Sequence, residues 1–405
     1  MVLALTRCAE VSVQVYHLLQ VLIIHSLAIG PRTHARTATT SSPWVSNESA
    51  YPINAPCVAW MCIVKFGPVP LDLAVGNIAV HSVRRPSVVL KKGEIITLAH
   101  VANLREAGIE ELVVAQLEAG DISEDDAAQR LAAAFAGENI RVQRPFTGRS
   151  NLFATCDGLL IADIAALNCV NETDERLTIA TLQPWRPVAT GEMVATVKVI
   201  PFAVPDELLV KVLAHAALRP LQIAAYFPLR VAVISTLLPG LKASVIDKTL
   251  RALEKRLASA KAHIVLNLKV EHKTADVAVA LTTAAQHSDI VVVFGASAIC
   301  DRRDVIPAAL EGSGGEIEQL GMPVDPGNLL LVGRLRQHKR TVHVLGAPGC
   351  ARSPKENGFD WVLQRLLAGF EVTSRDIRQM GAGGLLTEIA YRGQARVGPA
   401  SEAQN

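Results

Sequence analysis

The sequence predicts an α/β fold: a three-layer, doubly wound, mostly parallel sheet over residues 226–372, preceded by a smaller mixed α+β region over residues 61–218. Three observations lead there. Short apolar runs alternate with helix-spaced segments through the second half of the chain, the pattern of strand–helix–strand units. Those runs are nearly continuous in Val, Ile and Leu, as in strands buried on both faces. Half of the residues are hydrophobic but only 4% are aromatic, so small aliphatic side chains must fill the core.

Within the second region, Arg230–Ser235 reads as a buried strand. Residues 244–260 carry apolar side chains at Val245, Ile246, Leu250, Leu253 and Leu257, which is helical spacing. His263–Leu268 is a second strand, and Thr274 is expected to cap a helix reaching His287. Asp289–Gly295, the most apolar run, is placed at the centre of the sheet. A short helix over 304–310, a helix stop at Gly312-Ser313-Gly314-Gly315, a late strand Val342–Gly346 and a last helix over 357–367 complete the pattern. In the first region, Thr97 caps a helix over 98–107 that Gly108 ends, and Ser123 opens an Ala-rich helix to about Ala136. Leu90–Ile96, Ile109–Ala115, Gly158–Ala162 and Met193–Ile200 read as strands or strand ends.

Composition narrows the function. The length of 405 residues fits about two or three domains. A net charge of +2 without a Lys/Arg-rich block argues against nucleic acid as a partner. The seven cysteines show no CxxC pair or zinc spacing, so they read as reduced thiols of a cytoplasmic protein. Residues 1–60 stand apart. Their apolar patch around Val15 to Ile24 is interrupted by Gln20, His17 and His25, too short and polar for a membrane span. Residues 32–56 are rich in Ser, Thr and Pro and are expected to be disordered. The favoured reading is a non-native leader with the protein starting at Met61; the alternative is a targeting segment, from Arg7 before the patch and Ala28-Ile29-Gly30 after it.

In open α/β sheets, ligands sit beyond the carboxyl ends of the strands. The candidate loops are therefore Ser235-Thr236 through Lys242 to Ser244, Gly295-Ala296-Ser297-Ala298 through Asp301 to Asp304, and Gly346 through Pro348-Gly349-Cys350 to Arg352-Ser353. Loops of Gly, Ser and Pro ahead of helices expose amides that hold phosphates. Lys242, Arg302, Arg303, Arg352 and Lys355 supply positive charge, while Asp301 and Asp304 can hold a metal ion or orient a nucleophile. Each feature has a plainer reading: a tight turn, an N-cap at Asp304, surface ion pairs at Arg302 and Arg303, a packed thiol at Cys350, a turn residue at His272. Three such loops at one sheet edge favour a phosphorylated small ligand. A dinucleotide or triphosphate site fits poorly, because neither GxGxxG nor GxxxxGK[ST] occurs.

At these loops the chain resembles the molybdopterin-binding domain shared by molybdopterin adenylyltransferase and molybdopterin molybdenumtransferase. The resemblance rests on Gly295-Ala296-Ser297 leading to Arg302-Arg303-Asp304-Val305-Ile306-Pro307, on Asp325-Pro326-Gly327-Asn328, and on Pro348-Gly349-Cys350. It is closer still to bacterial molybdopterin-binding proteins often fused to a nucleotidyltransferase, through Gly321–Leu330, Gly349–Lys355 and Val197–Phe202, and so spans about Lys65 to Leu386. Departures are Ala296 for the second Gly, Asn328 for Lys, Cys350 and Ala351 for Asn and Pro, and Glu271-His272 for an Asp. They set adenylyl transfer and molybdate insertion against simple binding. The nucleotidyltransferase part is not found in residues 373–405, which read as a tail.

The resemblance implies a binder of molybdopterin or molybdenum cofactor, acting as carrier or as partner of a nucleotidyltransferase or molybdoenzyme, with homo-oligomerisation open. It implies ligand contacts from Thr236, Lys242, Gly295, Ala296, Ser297, Ala298, Arg303, Asp325, Pro326, Gly327, Asn328, Pro348, Gly349, Cys350, Arg352 and Ser353. The alternatives are a transferase using Mg²⁺ on Asp301 and Asp304, and a nucleotide pyrophosphatase.

Overall fold

A six-stranded sheet forms the centre of the second region. It comprises β1 (Arg230–Leu237), β2 (His263–Glu271), β3 (Ile290–Phe294), β4 (Glu316–Leu320), β5 (Leu331–Gln337) and β6 (Arg340–Ala347), in spatial order β2-β1-β3-β6-β5-β4. The computed structural model describes residues 65–216, 219–240, 243–338 and 340–386, all within one structural unit. The expected leader over residues 1–60 and the site residue Lys242 lie outside the described residues.

The chain mixes helices and strands as the α/β reading requires. Strands β2, β1, β3 and β6 run parallel, whereas β5 pairs antiparallel to β6 and β4 antiparallel to β5. Every other sheet among the described residues is small and antiparallel. The parallel plan is thus confined to four strands. The β5 run was not recognised in the sequence, because the short β4–β5 connection contains glycines and prolines that read as loop.

Helices α1 (Ala243–Leu257), α2 (Thr274–His287), α3 (Val305–Gly312) and α4 (Gly358–Leu367) cover the sheet. Strand side chains alternate between its faces. Val231 and Val233 join Leu253 and Leu257 of α1 and Phe359, Val362 and Leu363 of α4 in one cluster. Ala232 and Ile234 join Val277, Leu281 and Ala284 of α2 and Ile306 and Leu310 of α3 in the other. Strand β3 lies between β1 and β6, and all five of its residues are buried. Burial of each large aliphatic side chain there stabilises by about 1.5–3 kcal/mol.

The helix ends follow local chemistry with one exception. Asn357 caps α4 and Asp360 completes a capping box. Gly314, at φ 77°, lies in the stop expected after α3. Thr274, however, is the first residue of α2; the cap position is Lys273, whose side chain makes no capping bond. A five-residue helix, Ser374–Arg378, follows α4, and Ile377 and Met380 enter the same core as α4, so folded chain continues past residue 372.

In the first region, Thr97 and His100 form a reciprocal cap for Leu98–Glu106, and Ser123 accepts the Asp126 amide at the start of Glu124–Phe135. These helices pack in separate clusters: the first with Leu90 and Val114, the second with Leu152, Val197 and Ile223.

Candidate functional site

Parallel pairing aligns Ser235 of β1 with Phe294 of β3, and Phe294 with Ala347 of β6. Leu238, Gly295 and Pro348 therefore begin three loops on one rim, at the carboxyl edge where α/β proteins place ligands, with Thr236 near the end of β1. A side chain from the end of β1 joins the β3 loop to the loop after β2. The hydroxyl of Thr236, fully buried, accepts the Ala296 amide at 2.7 Å and lies 2.9 Å from Nδ1 of His272 in the loop after β2. His272, expected to be only a turn residue, is thus part of the rim. Gly295 needs to be glycine: a Cβ there would lie 2.7 Å from the Ser297 carbonyl oxygen and 2.9 Å from Cδ1 of Ile306.

The segment from Gly295 to Asp304 spends several amides on its own side chains. Oδ2 of Asp304 accepts the Cys300 and Asp301 amides at 2.6 and 2.9 Å, and these bonds hold its carboxyl below the usual carboxylate range. Asp304 occupies the cap position of α3, but its side chain points back into the loop rather than onto the helix. Asp301 accepts the amide and Nε of Arg303 at 2.8 and 2.7 Å, which brings it down to about 2. Ser297 and Ala298 are exposed, and their amides make no hydrogen bond among the described residues. Among the described residues no group of three or more His, Cys, Asp or Glu is arranged to hold a metal ion.

The loop after β6 is a short 3-10 turn, Gly349–Arg352. Arg352 reaches across to the β3 loop, donating to the Gly295 carbonyl at 2.9 Å and to Oγ1 of Thr249 on α1 at 3.0 Å. Its guanidinium carbon lies 5.4 Å from the Phe294 ring centroid. It forms no ion pair among the described residues, and burial lowers its pKa. By alternation Ser235 shares the β1 face of Val231 and Val233, which join Phe294 in one cluster. Its buried hydroxyl has no hydrogen-bond partner among the described residues.

Beneath this turn, Arg256 of α1 pairs with Asp360 of α4 in a buried ion pair. Arg256 also donates to the carbonyls of Ala351 and Ser353 at 3.1 and 2.7 Å, so the turn is tied to two helices. Burial pushes the Cys350 thiol up, as in a packed cysteine. The Asp325-Pro326-Gly327-Asn328 loop is fixed at the start of α4, where the Gly358 amide donates to the Pro326 carbonyl at 2.9 Å. A Cβ on Gly327 would lie 2.6 Å from the Gly358 nitrogen. Asp325 pairs through its backbone with Gly384 and Leu386, and Asn328 is exposed, its carbonyl accepting the Met322 amide.

Sequence reading placed Ser235 in the first candidate loop but missed Thr249, Arg256, His272 and Asp360 as parts of this edge. The Asn357–Asp360 spacing was a visible capping signal. Thr249, Arg256 and His272 become partners of this edge only when segments up to 104 residues apart meet.

One family model, described as a domain of unknown function (DUF8806), matches residues 68–116, within the first region. No curated protein matches the chain. Among solved structures, the molybdopterin biosynthesis MoeA protein from Pyrococcus horikoshii aligns at 15% identity and a TM-score of 0.27, covering 75% of this chain and 75% of that one. A second structure of a molybdopterin biosynthesis MoeA protein from that organism aligns at 12% identity and a TM-score of 0.24, covering 75% and 74%. Among the described residues, no helix is long and apolar enough to cross a membrane.

Proposed function

We propose that the rim formed by the loops after β1, β3 and β6 binds molybdopterin or molybdenum cofactor, and that the protein acts as its carrier or as partner of a nucleotidyltransferase. The observation that carries this reading is Arg352. It is a half-buried cation that ties the β6 loop to Gly295 of the β3 loop and to Thr249 of α1 while forming no ion pair among the described residues. A cation held by neutral acceptors retains its attraction for a phosphate. The orphaned Ser235 hydroxyl on the same face supplies a further polar group, and the Ser297 and Ala298 amides supply donors at the exposed lip.

These residues suit the terminal phosphate of the pterin. A carrier would use them to hold and shield the cargo, with Thr236 and His272 keeping the β3 loop in place. For the transferase alternative, Asp301 would have to exchange Arg303 for Mg²⁺.

Titration calorimetry of the purified chain with molybdopterin tests the reading. Saturable one-to-one binding is expected, weakened at least tenfold in Arg352→Met. Absence of heat at micromolar protein rejects it. Native mass spectrometry of protein from a cofactor-producing cell gives a second readout, since a retained pterin shows by its mass.

A further inference from the structure

A cavity lies away from the strand ends, between residues 162–187 of the first region and residues 354–386 beside α4, with a volume of ≈ 1110 Å³. Trp185, Trp361 and Arg365 line it, with Gln183 and Gln364 beside them. Small-molecule sites run from about 300 to 1,000 Å³, so this one has room for a ligand and ordered water.

The aromatic wall is held in place. Trp185 adopts φ 65°, a left-handed conformation rare for a bulky side chain, and its amide donates to the Leu160 carbonyl at 2.7 Å. Phe370 packs edge-on against the indole at 5.0 Å and 79°. Trp185 nevertheless stays 38% exposed, so part of the ring is open to a ligand. Trp361 is oriented by its Nε1, which donates to Glu356 at 2.9 Å.

The charges sort cleanly. Arg186 pairs with Glu192 at 3.6 Å, Asp360 with Arg256, and Glu356 with Trp361. Asp376 accepts the amide and hydroxyl of Thr373 at 2.9 and 2.6 Å. Arg365 alone among these lining charges has no hydrogen bond or ion pair from its side chain among the described residues, although the Asp376 carboxylate acts on it through space. Its Nε is buried without an acceptor, and its guanidinium carbon lies 4.2 Å from the Trp185 ring centroid. An unmet guanidinium donor in a half-dry site is unfavourable until an anion arrives, and the fork of an arginine matches carboxylate or phosphate bidentately.

We propose that this cleft binds a small planar aromatic anion, its ring against the Trp185 and Trp361 indoles and its carboxylate or phosphate on Arg365. Titration calorimetry of the full chain with 2-naphthoate, adenosine monophosphate, neutral 2-naphthol and inorganic phosphate tests it. One of the two aromatic anions is expected to bind one-to-one and at least tenfold tighter than both 2-naphthol and phosphate. The stronger anion shows whether the site takes a carboxylate or a phosphate. Arg365→Met should reduce that affinity to the level of 2-naphthol, and Trp185→Leu should weaken the aromatic anion at least fivefold. Arg365→Lys, which keeps the charge but not the fork, should lose affinity with an unchanged melting temperature, covering the case in which Arg365→Met does not fold. No saturable binding of either anion up to millimolar concentration overturns the proposal, as does full affinity in a folded Arg365 variant.

Discussion

The Thr236 hydroxyl accepts the Ala296 amide at 2.7 Å, so a buried side chain at the end of β1 fixes the loop that leaves β3. Thr236→Val removes the acceptor and leaves the amide unmet inside the protein. We expect a loss of about 1–3 kcal/mol in urea unfolding, largely restored by Thr236→Ser, which keeps the hydroxyl. Equal stability of the valine and serine variants would show that the bond does not hold the loop.

The Arg256–Asp360 pair is buried on both sides, with side-chain exposures of 10% and 9%. Removing one partner strands a charge, so Asp360→Asn or Arg256→Met alone should cost about 3–5 kcal/mol. Replacing both with apolar residues should cost clearly less than the two single changes summed. Chemical denaturation of the three variants as a double-mutant cycle measures the difference.

Gly295→Ala should be disruptive despite its small size. The added methyl meets a backbone oxygen at 2.7 Å rather than a flexible side-chain end alone, and overpacking of this kind costs about 1–3 kcal/mol. Gly349→Ala is the matched control, because a Cβ there meets nothing within 4 Å. Melting curves should separate the two variants.

Asp289 accepts from both Arg230 and Arg340, at 2.8 and 3.0 Å, on the opposite edge of the sheet. The Arg230 guanidinium holds its carboxyl below the ordinary value of 3.8. A depressed acid stabilises the fold above its unfolded pKa, and that contribution disappears as pH falls through the lower folded value. The stability gap between wild type and Asp289→Asn, about 1 kcal/mol or less for such partly exposed ion pairs, should therefore be constant from pH 7 down to about 5. It should close below 3.8. Urea titrations at stepped pH check this; a gap that closes near neutrality would assign it to another group.

Burial lowers the pKa of His343 below its ordinary 6.5, so the unfolded chain takes up a proton there before the folded one does. Stability should begin to fall as pH drops below 6.5, and His343→Phe should remove that part of the decline. The same stepped titrations decide it.

Much of the fold was legible from local chemistry. The Thr97 and Ser123 caps, the apolar period of α1 and the unbroken Ile290–Val293 run each report on a few neighbouring residues. The antiparallel β4 and β5 were less legible, because Glu316–Leu320 carries two acids and a glutamine and alternates poorly. The rim was foreseen as three loops. Its internal bonds were not, since Asp304 and Asp301 turn to amides and to Arg303 only two to four residues away, as their spacing allowed but did not require.

By itself, the sequence determined the helix and strand periods, the glycine and proline breaks, and the edge on which the loops after β1, β3 and β6 emerge. Period and capping act over a few residues, so they are written into short segments. Only the tertiary structure decided that Thr236 meets Ala296 and His272, that Arg352 crosses to Gly295, that Arg256 finds Asp360, and that Arg365 lies over Trp185. Those partners lie 36 to 180 residues apart in the chain (272 − 236 and 365 − 185), and hydrogen bonds and ion pairs depend on distance in space, which no local pattern encodes.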